Sequence, residues 1–305
     1  MSNTATVLAF DFGASSGRAI RAVYDGQNLT YEEIHRFENV PIEKDGHLCW
    51  DVETLLKEIH TAIQKAGTFD SLGFDTWGVD FGLLDADGHL LANPVHYRDA
   101  RTNGKPEQAA ACMPAEELYA HTGNQIMAIN TLFQLLALQE QESELLQKAE
   151  QILFMPDLFA ALLGAEPVCE RSIASTSQML DPRTGQWSRE VLTAYSLKEN
   201  HFAPLVASGT VTGTLANGAK IIAVAGHDTQ CASAAMPCAE EDAERTAFLS
   251  CGTWSLLGTE LDTPILTADS CQSGLSNELG ANGKINYLKN IIGLWLIQES
   301  RREYK

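Results

Sequence analysis

Apolar residues arrive in two rhythms along this chain. Near the N-terminus they come as short runs bounded by Gly and Asp: Val7-Leu8-Ala9-Phe10-Asp11-Phe12, a turn at Gly13-Ala14-Ser15-Ser16-Gly17, then Arg18 to Tyr24. Asp25-Gly26 is a turn signal, and Tyr31 to Phe37 supplies a third run. This spacing predicts a meander of antiparallel hairpins. Between Val52 and Ala66 the period becomes helical, with Val52, Leu55, Leu56, Ile59 and Ile63 on one face and Asp51 placed as N-cap. Ser71 to Phe74 returns to strand and ends in Asp75, while Phe81 to Leu84 leads into the turn Asp85-Ala86-Asp87-Gly88.

Helical patterning then dominates, with segments near Glu116 to His121, Thr131 to Gln139, Glu142 to Ala149 and Asp157 to Leu163. Strand character reappears at Ile221 to Ala225, followed by a small-residue helix from Thr229 to Ala235. The acidic, Pro-containing stretch Pro237 to Glu244 reads as a domain boundary. Beyond it come a strand at Thr246 to Ser250 and an amphipathic helix from Ile291 to Arg302. The whole predicts an α/β chain with a first domain over residues 1–240 and the start of a second over 245–305. That second stretch holds too little apolar periodicity for a core of its own, so the expectation is an incomplete domain.

Composition narrows the partners. With 45% apolar and 20% charged residues the chain is an ordinary globular one. Its formal charge of -19, from 40 acidic and 21 basic side chains, repels a nucleic-acid backbone. A nucleotide remains accessible to it, because backbone N–H groups and a divalent cation can offset phosphate charge. The seven cysteines include no C-x-x-C pair, the usage of reduced thiols in a cytoplasmic protein. The N-terminal apolar run is broken by Asp11, so neither a secretory leader nor a membrane span is expected.

Four segments carry candidate chemistry. Asp11 ends a strand, where a carboxylate can hold a hydrated divalent cation, and Gly13 to Gly17 can turn N–H groups and hydroxyls toward phosphate. No Gly-Lys-Ser/Thr follows, which excludes a P-loop, and a plain hairpin turn suits the same residues. In Asp75-Thr76-Trp77-Gly78-Val79-Asp80-Phe81 an aromatic face and carboxylates suit a polyol, as they also suit a buried Trp with capping aspartates. Gly226-His227-Asp228-Thr229 opens a helix after an apolar strand. Asp228 there is suited to accept a hydroxyl proton, and His227 either bonds the sugar or orients the loop. Ser250-Cys251-Gly252-Thr253-Trp254-Ser255 echoes the first turn.

Taken together these strings resemble the FGGY family of carbohydrate kinases. The likeness runs from Val7 onward and also includes Tyr97-Arg98-Asp99-Ala100-Arg101-Thr102, Met155-Pro156-Asp157 and Leu288-Lys289-Asn290-Ile291-Ile292-Gly293-Leu294-Trp295. It implies an actin-like, ribonuclease H-like fold of two domains about a cleft, with ATP and Mg2+ as cofactors. Ala14, Ser15, Ser16, Gly17 and Arg18 would line the ATP phosphates, with Asp11 near the magnesium. Gly78 and His227 would contact the sugar beside Trp77 and Asp80, and Asp228 would be the general base. Thr253, Asn290 and Gln298 would serve the nucleotide from the second domain. The Gly-Ala-Ser-Ser-Gly-Arg turn and the Asp-Thr-Trp-Gly-Val-Asp-Phe stretch point within the family to L-rhamnulose, phosphorylated to L-rhamnulose 1-phosphate. The family pattern continues past Lys305 with a glycine-rich adenosine segment, so a chain inactive alone is expected. The competing expectations are a family member acting on xylulose, glycerol or gluconate, a non-catalytic sugar-binding fragment, and an actin-like ATPase acting on proteins.

Overall fold

The computed structural model describes residues 4–239, 242, 245–252 and 254–304. Three N-terminal runs form the expected meander: β1 (Ala5–Phe12), β2 (Ser16–Tyr24) and β3 (Leu29–Glu38), paired antiparallel in sequence order. Helix α1 (Val52–Ala66) follows. The Asp51 carboxylate accepts from Thr54 N and caps it, and Val52, Leu55, Ile59, Ala62 and Ala66 are buried. The crossover returns the chain as β4 (Ser71–Thr76), parallel to β1. Strands β5 (Thr210–Thr214) and β6 (Lys220–Ala223) complete a six-stranded sheet in the order β5-β6-β4-β1-β2-β3. The arrangement is α/β, as expected.

Aromatic packing seals the sheet beneath its turns. Phe10 stacks on Phe74 and Phe12 on Phe159 of helix α3 (Met155–Leu162), each at 4.8 Å between ring centroids, and helix α2 (Thr131–Gln141) adds Leu132, Phe133 and Leu135. Full burial of such side chains contributes roughly 1.5–3 kcal/mol each.

After helix α4 (Asp228–Ala234) the chain builds a four-stranded antiparallel sheet. Its strands are β7 (Phe248–Cys251), β8 (Trp254–Leu261), β9 (Leu275–Leu279) and β10 (Ile285–Ile292), in the order β7-β8-β10-β9. Here the terminal helix expected from Ile291 needs correction. Ile291 and Ile292 pair with Ser255 and Trp254 as the end of β10, and helix α5 (Trp295–Glu303) begins only after Gly293. A Cβ on Gly293 would lie 2.5 Å from Ser255 Oγ and 2.7 Å from Gly252 O, so the backbone turns there in a gap that excludes a side chain.

The sheet has a small core of its own, Phe248, Leu256 and Leu288, whereas Leu279 and Ile285 join the main core. Asn277 ties β9 to the first part of the chain: its N and Nδ2 both donate to Gly123 O, at 2.8 and 3.1 Å. Within the expected boundary Pro237 to Glu244, residues 240, 241, 243 and 244 lie outside the described residues. Among the described residues no helix is long and apolar enough to cross a membrane.

Candidate active site

One cavity of about 360 Å³ opens between the ends of β1, β4 and α4 and the face of the four-stranded sheet. Asp11, Ala14, Ser15 and Arg18 line it from the first turn, and Trp77, Gly78, His227 and Asp228 line it from the second and third segments. Asn290 enters from β10, where its Nδ2 donates to Gln125 Oε1 at 3.3 Å. Thr253 lies outside the described residues, and Gln298 falls in α5, its side chain likewise undescribed.

Three of the sequence-named residues do not face this space. Ser16 opens β2 and pairs with Glu38. Gly17 sits under Phe37, and a Cβ there would come within 2.2 Å of the ring. Its lack of a side chain serves packing below the turn. Asp80 is 1% exposed, and its carboxylate is spent inside the protein. Oδ2 accepts from Trp50 Nε1, Trp77 Nε1 and Tyr97 N at 2.7, 3.0 and 3.1 Å, and Oδ1 accepts from Gln134 Nε2 at 2.8 Å. Burial pushes this carboxyl up to about 6, against the pull of those four donors. Asp80 therefore fixes the Trp77 indole, which packs 3.9 Å from Trp50.

Local geometry explains the wall that does face the cavity. A Cβ on Gly78 would meet Thr176 at 3.3 Å, so this segment passes close against the Ser175–Ser177 turn. Val79 is held at φ +68°, a strained conformation for a β-branched residue, by Thr176 Oγ1, which accepts its N–H, and Thr131 Oγ1, which donates to its carbonyl.

Asp228 is the first residue of α4, and its side chain is 45% exposed, toward the cavity. Oδ1 accepts from Thr229 N at 2.6 Å and Thr229 Oγ1 at 3.2 Å, while no donor among the described residues reaches Oδ2. Set back among the cavity walls and partly withdrawn from bulk water, it has a raised affinity for a proton, which the His227 charge and the Thr229 amide partly offset. His227 Nε2 lies 3.4 Å from Asp228 Oδ1, and Nδ1 donates to Glu278 Oε2 at 3.0 Å. Burial alone would lower the imidazole, but the Glu278 charge and hydrogen bond, then Asp228 and Asp75, outweigh it and raise it to about 9.

At the first turn Arg18 engages Asp11 Oδ2 from Nε at 2.8 Å and from Nη2 at 2.7 Å. Oδ1 has no donor among the described residues. A hydrated magnesium ion needs only one or two carboxylates from the protein, so Asp11 fits such an ion through its waters. The one cluster of potential ligand atoms among the described residues, Asp85, Asp87 and His89, lies elsewhere on an exposed turn. There Asp85 Oδ1 is occupied in closing the turn, accepting from Asp87 N at 2.9 Å and His89 N at 2.8 Å.

Sequence reasoning missed Glu278, Ser276, Asn124 and Gln125, all of which line the cavity. Ser276 and Glu278 sit in a run that reads as polar loop, and no local signal marks them.

A sequence profile described as the FGGY family of carbohydrate kinases, N-terminal domain, matches residues 6–234. A rhamnulokinase from Bacteroides thetaiotaomicron is 40% identical, over 96% of this chain and 63% of its own length. One from Bacillus subtilis is 39% identical, over 97% of this chain and 62% of its own. The chain thus spans under two thirds of the length of the curated relatives it matches. Among solved structures, a ligand-bound xylulose kinase from Lactobacillus acidophilus superposes with a TM-score of 0.77 at 17% identity, over 93% of this chain and 59% of its own, a likeness of fold.

Proposed function

The chain belongs to the FGGY family of carbohydrate kinases, and from that premise we propose that it supplies the sugar site and catalytic base of an ATP-dependent L-rhamnulose kinase. The observation that carries this reading is the convergence, in one cavity, of Asp228 with an unengaged Oδ2 and of the Asp11–Arg18 turn. The choice of sugar follows the relatives, which are named rhamnulokinases. In this reading residues 1–240 form the sugar and catalytic unit, and 245–305 add Thr253, Asn290 and Gln298 on the nucleotide side.

L-rhamnulose lies against Trp77 and Gly78, in contact with the His227 ring. Asp228 Oδ2 accepts the proton of the attacking C1 hydroxyl as its oxygen bonds to the γ-phosphorus of ATP. The bond to the β-phosphate oxygen breaks and ADP leaves. Burial suits Asp228 to this task, because a carboxylate with raised proton affinity is the better base. Ala14, Ser15 and Arg18 face the phosphates, and Asp11 holds the waters of the magnesium ion. When bound, that ion neutralises charge on the β- and γ-phosphates.

The test is steady-state kinetics on the gene's full-length product with L-rhamnulose, xylulose, glycerol and gluconate. L-rhamnulose should give the highest kcat/KM, and preference for another sugar refutes the substrate. Asp228→Asn should lose about 10²-fold or more in kcat with little change in sugar affinity. A kcat within about twofold of the parent removes Asp228 from the base role.

A further inference from the structure

We infer that Glu278 is a positioning residue for the proposed catalytic pair, holding His227 through its Nδ1 so that Nε2–H faces the Asp228 carboxylate. The inference rests on the reading of Asp228 and His227 given above, and adds a residue beyond the 6–234 span matched by the family profile.

Glu278 comes from β9 of the four-stranded sheet and is 5% exposed. Among the described residues its one cationic partner is His227. A carboxylate sealed from water without a counter-charge costs several kcal/mol, so burial of Glu278 demands that the imidazole hold a proton on the facing nitrogen. The carboxylate is itself locked. Gln230 Nε2 donates to the same Oε2 at 2.7 Å, Asn286 Nδ2 donates to Gln230 Oε1, and Asn286 Nδ2 also reaches Ser233 Oγ at 2.9 Å. Gln230 and Asn286 are both fully buried. This chain runs from β10 through α4 to β9 and holds the Glu278 carboxylate in place, and a held carboxylate orients the ring it binds.

The consequence is electrostatic. Among the described residues the charges that act on His227 come from Glu278 on β9, Asp228 on α4 and Asp75 on β4, all carboxyl groups. With its Nδ1 proton committed to Glu278, the ring presents Nε2–H and a positive charge to Asp228 Oδ1 at 3.4 Å. That charge opposes burial and Asp11, the two influences that favour protonating the base. A glutamine at 278 would keep the shape and lose the counter-charge.

The experiment is a pH titration by NMR of the 305-residue chain carrying 15N-histidine, with His227→Gln identifying the signal among eight histidines. His227 should stay protonated at both nitrogens past about pH 8. In Glu278→Gln its midpoint should fall by about one pH unit or more, with the other histidine signals in place as the control for folding. Glu278→Asp, which keeps the charge one methylene further back, should give an intermediate midpoint and serves as the test if the glutamine variant unfolds. A parent midpoint near the ordinary ~6.5, or a midpoint unmoved by Glu278→Gln or by Glu278→Asp, overturns the inference. None of these measurements reads phosphoryl transfer. A failed sugar assay beside an intact Glu278-dependent titration therefore sinks the proposed function and spares the pairing.

Discussion

Removing Glu170 should loosen the segment that presents Asp228. This carboxylate is 1% exposed and serves two elements at once. Oε2 accepts from Ser172 N, Ile173 N and Ser172 Oγ at 2.9, 3.2 and 2.5 Å, capping the short helix Arg171–Ala174. The same oxygen accepts from Gly226 N at 3.1 Å, next to His227, while Oε1 accepts from Ser208 Oγ at 2.6 Å. In Glu170→Ala the two hydroxyls can rotate to other acceptors, but the three amides cannot. At about 1–3 kcal/mol for each buried donor left unpaired, the loss is about 3–9 kcal/mol. Water entering the vacated volume would hold it to about 3–5 kcal/mol. Glu170→Gln keeps an oxygen for the amides and offers its NH2 to the Ser208 hydroxyl. It gives up only charge assistance, and it relieves Asp157, whose carboxyl burial and then the Glu170 charge push well above the usual range. Its loss should stay below about 2 kcal/mol. Urea denaturation at neutral pH, followed by Trp fluorescence and extrapolated linearly, measures both. An alanine loss under about 1.5 kcal/mol, or a glutamine as damaging as the alanine, would refute the reasoning.

Gly17→Ala should destabilise by about 1–3 kcal/mol through its clash with the Phe37 ring, which packs edge-on to Phe12 at 5.3 Å. Combined with Phe37→Leu the alanine should cost less than it does alone, and simple additivity in denaturation midpoints would refute the packing explanation. Asp80→Ala should cost about 3 kcal/mol or more and shift tryptophan emission, since Trp50 Nε1, Trp77 Nε1 and Tyr97 N lose their acceptor; unchanged emission counts against it. His227 should make stability fall with rising pH. A histidine whose folded value is raised to about 9 contributes stability that is whole below its unfolded ~6.5 and lost as pH climbs through about 9, about 3 kcal/mol in all. Thermal melts across that window should show this component in the parent and lose most of it in Glu278→Gln; parallel curves would disprove it.

Much of the first half was legible because its information is local. The three strands, α1 and the Asp51 cap follow from short-range periodicity and one side chain's bond to the next turn. The catalytic candidates were legible for the same reason: Asp11 and Asp228 each sit beside a glycine turn at a strand end. Asp80 shows where that reasoning stops. It shares a seven-residue string with Trp77 and Gly78, yet its carboxylate points to Trp50, Tyr97 and Gln134, which are distant in sequence. Strand β10 was hidden because Ile291-Ile292 suits a helix face or a strand end equally, and only pairing with Trp254 and Ser255 decides it.

The segment Gly226–Asp228 shows why the remainder needs three dimensions. Gly226 O accepts from Thr76 N at 2.9 Å, which joins it to β4. Glu170 holds Gly226 N, and Glu278 holds the His227 ring. Three unrelated parts of the chain therefore fix one tripeptide, and each controls a different property. Thr76 ties the loop to the sheet, Glu170 holds its backbone, and Glu278 sets the charge beside Asp228. Neither carboxylate carries a sequence signature: Cys169-Glu170-Arg171 and Asn277-Glu278-Leu279 hold no glycine turn of the kind that stands beside Asp11 and Asp228. What distinguishes them is that a buried carboxylate must find donors, and among those found here are Gly226 N for Glu170 and His227 Nδ1 for Glu278. Variants of Glu170 should therefore act chiefly on stability and on where Asp228 sits, and variants of Glu278 chiefly on pH dependence. Accounts in which the two are interchangeable supports of one loop do not predict that separation.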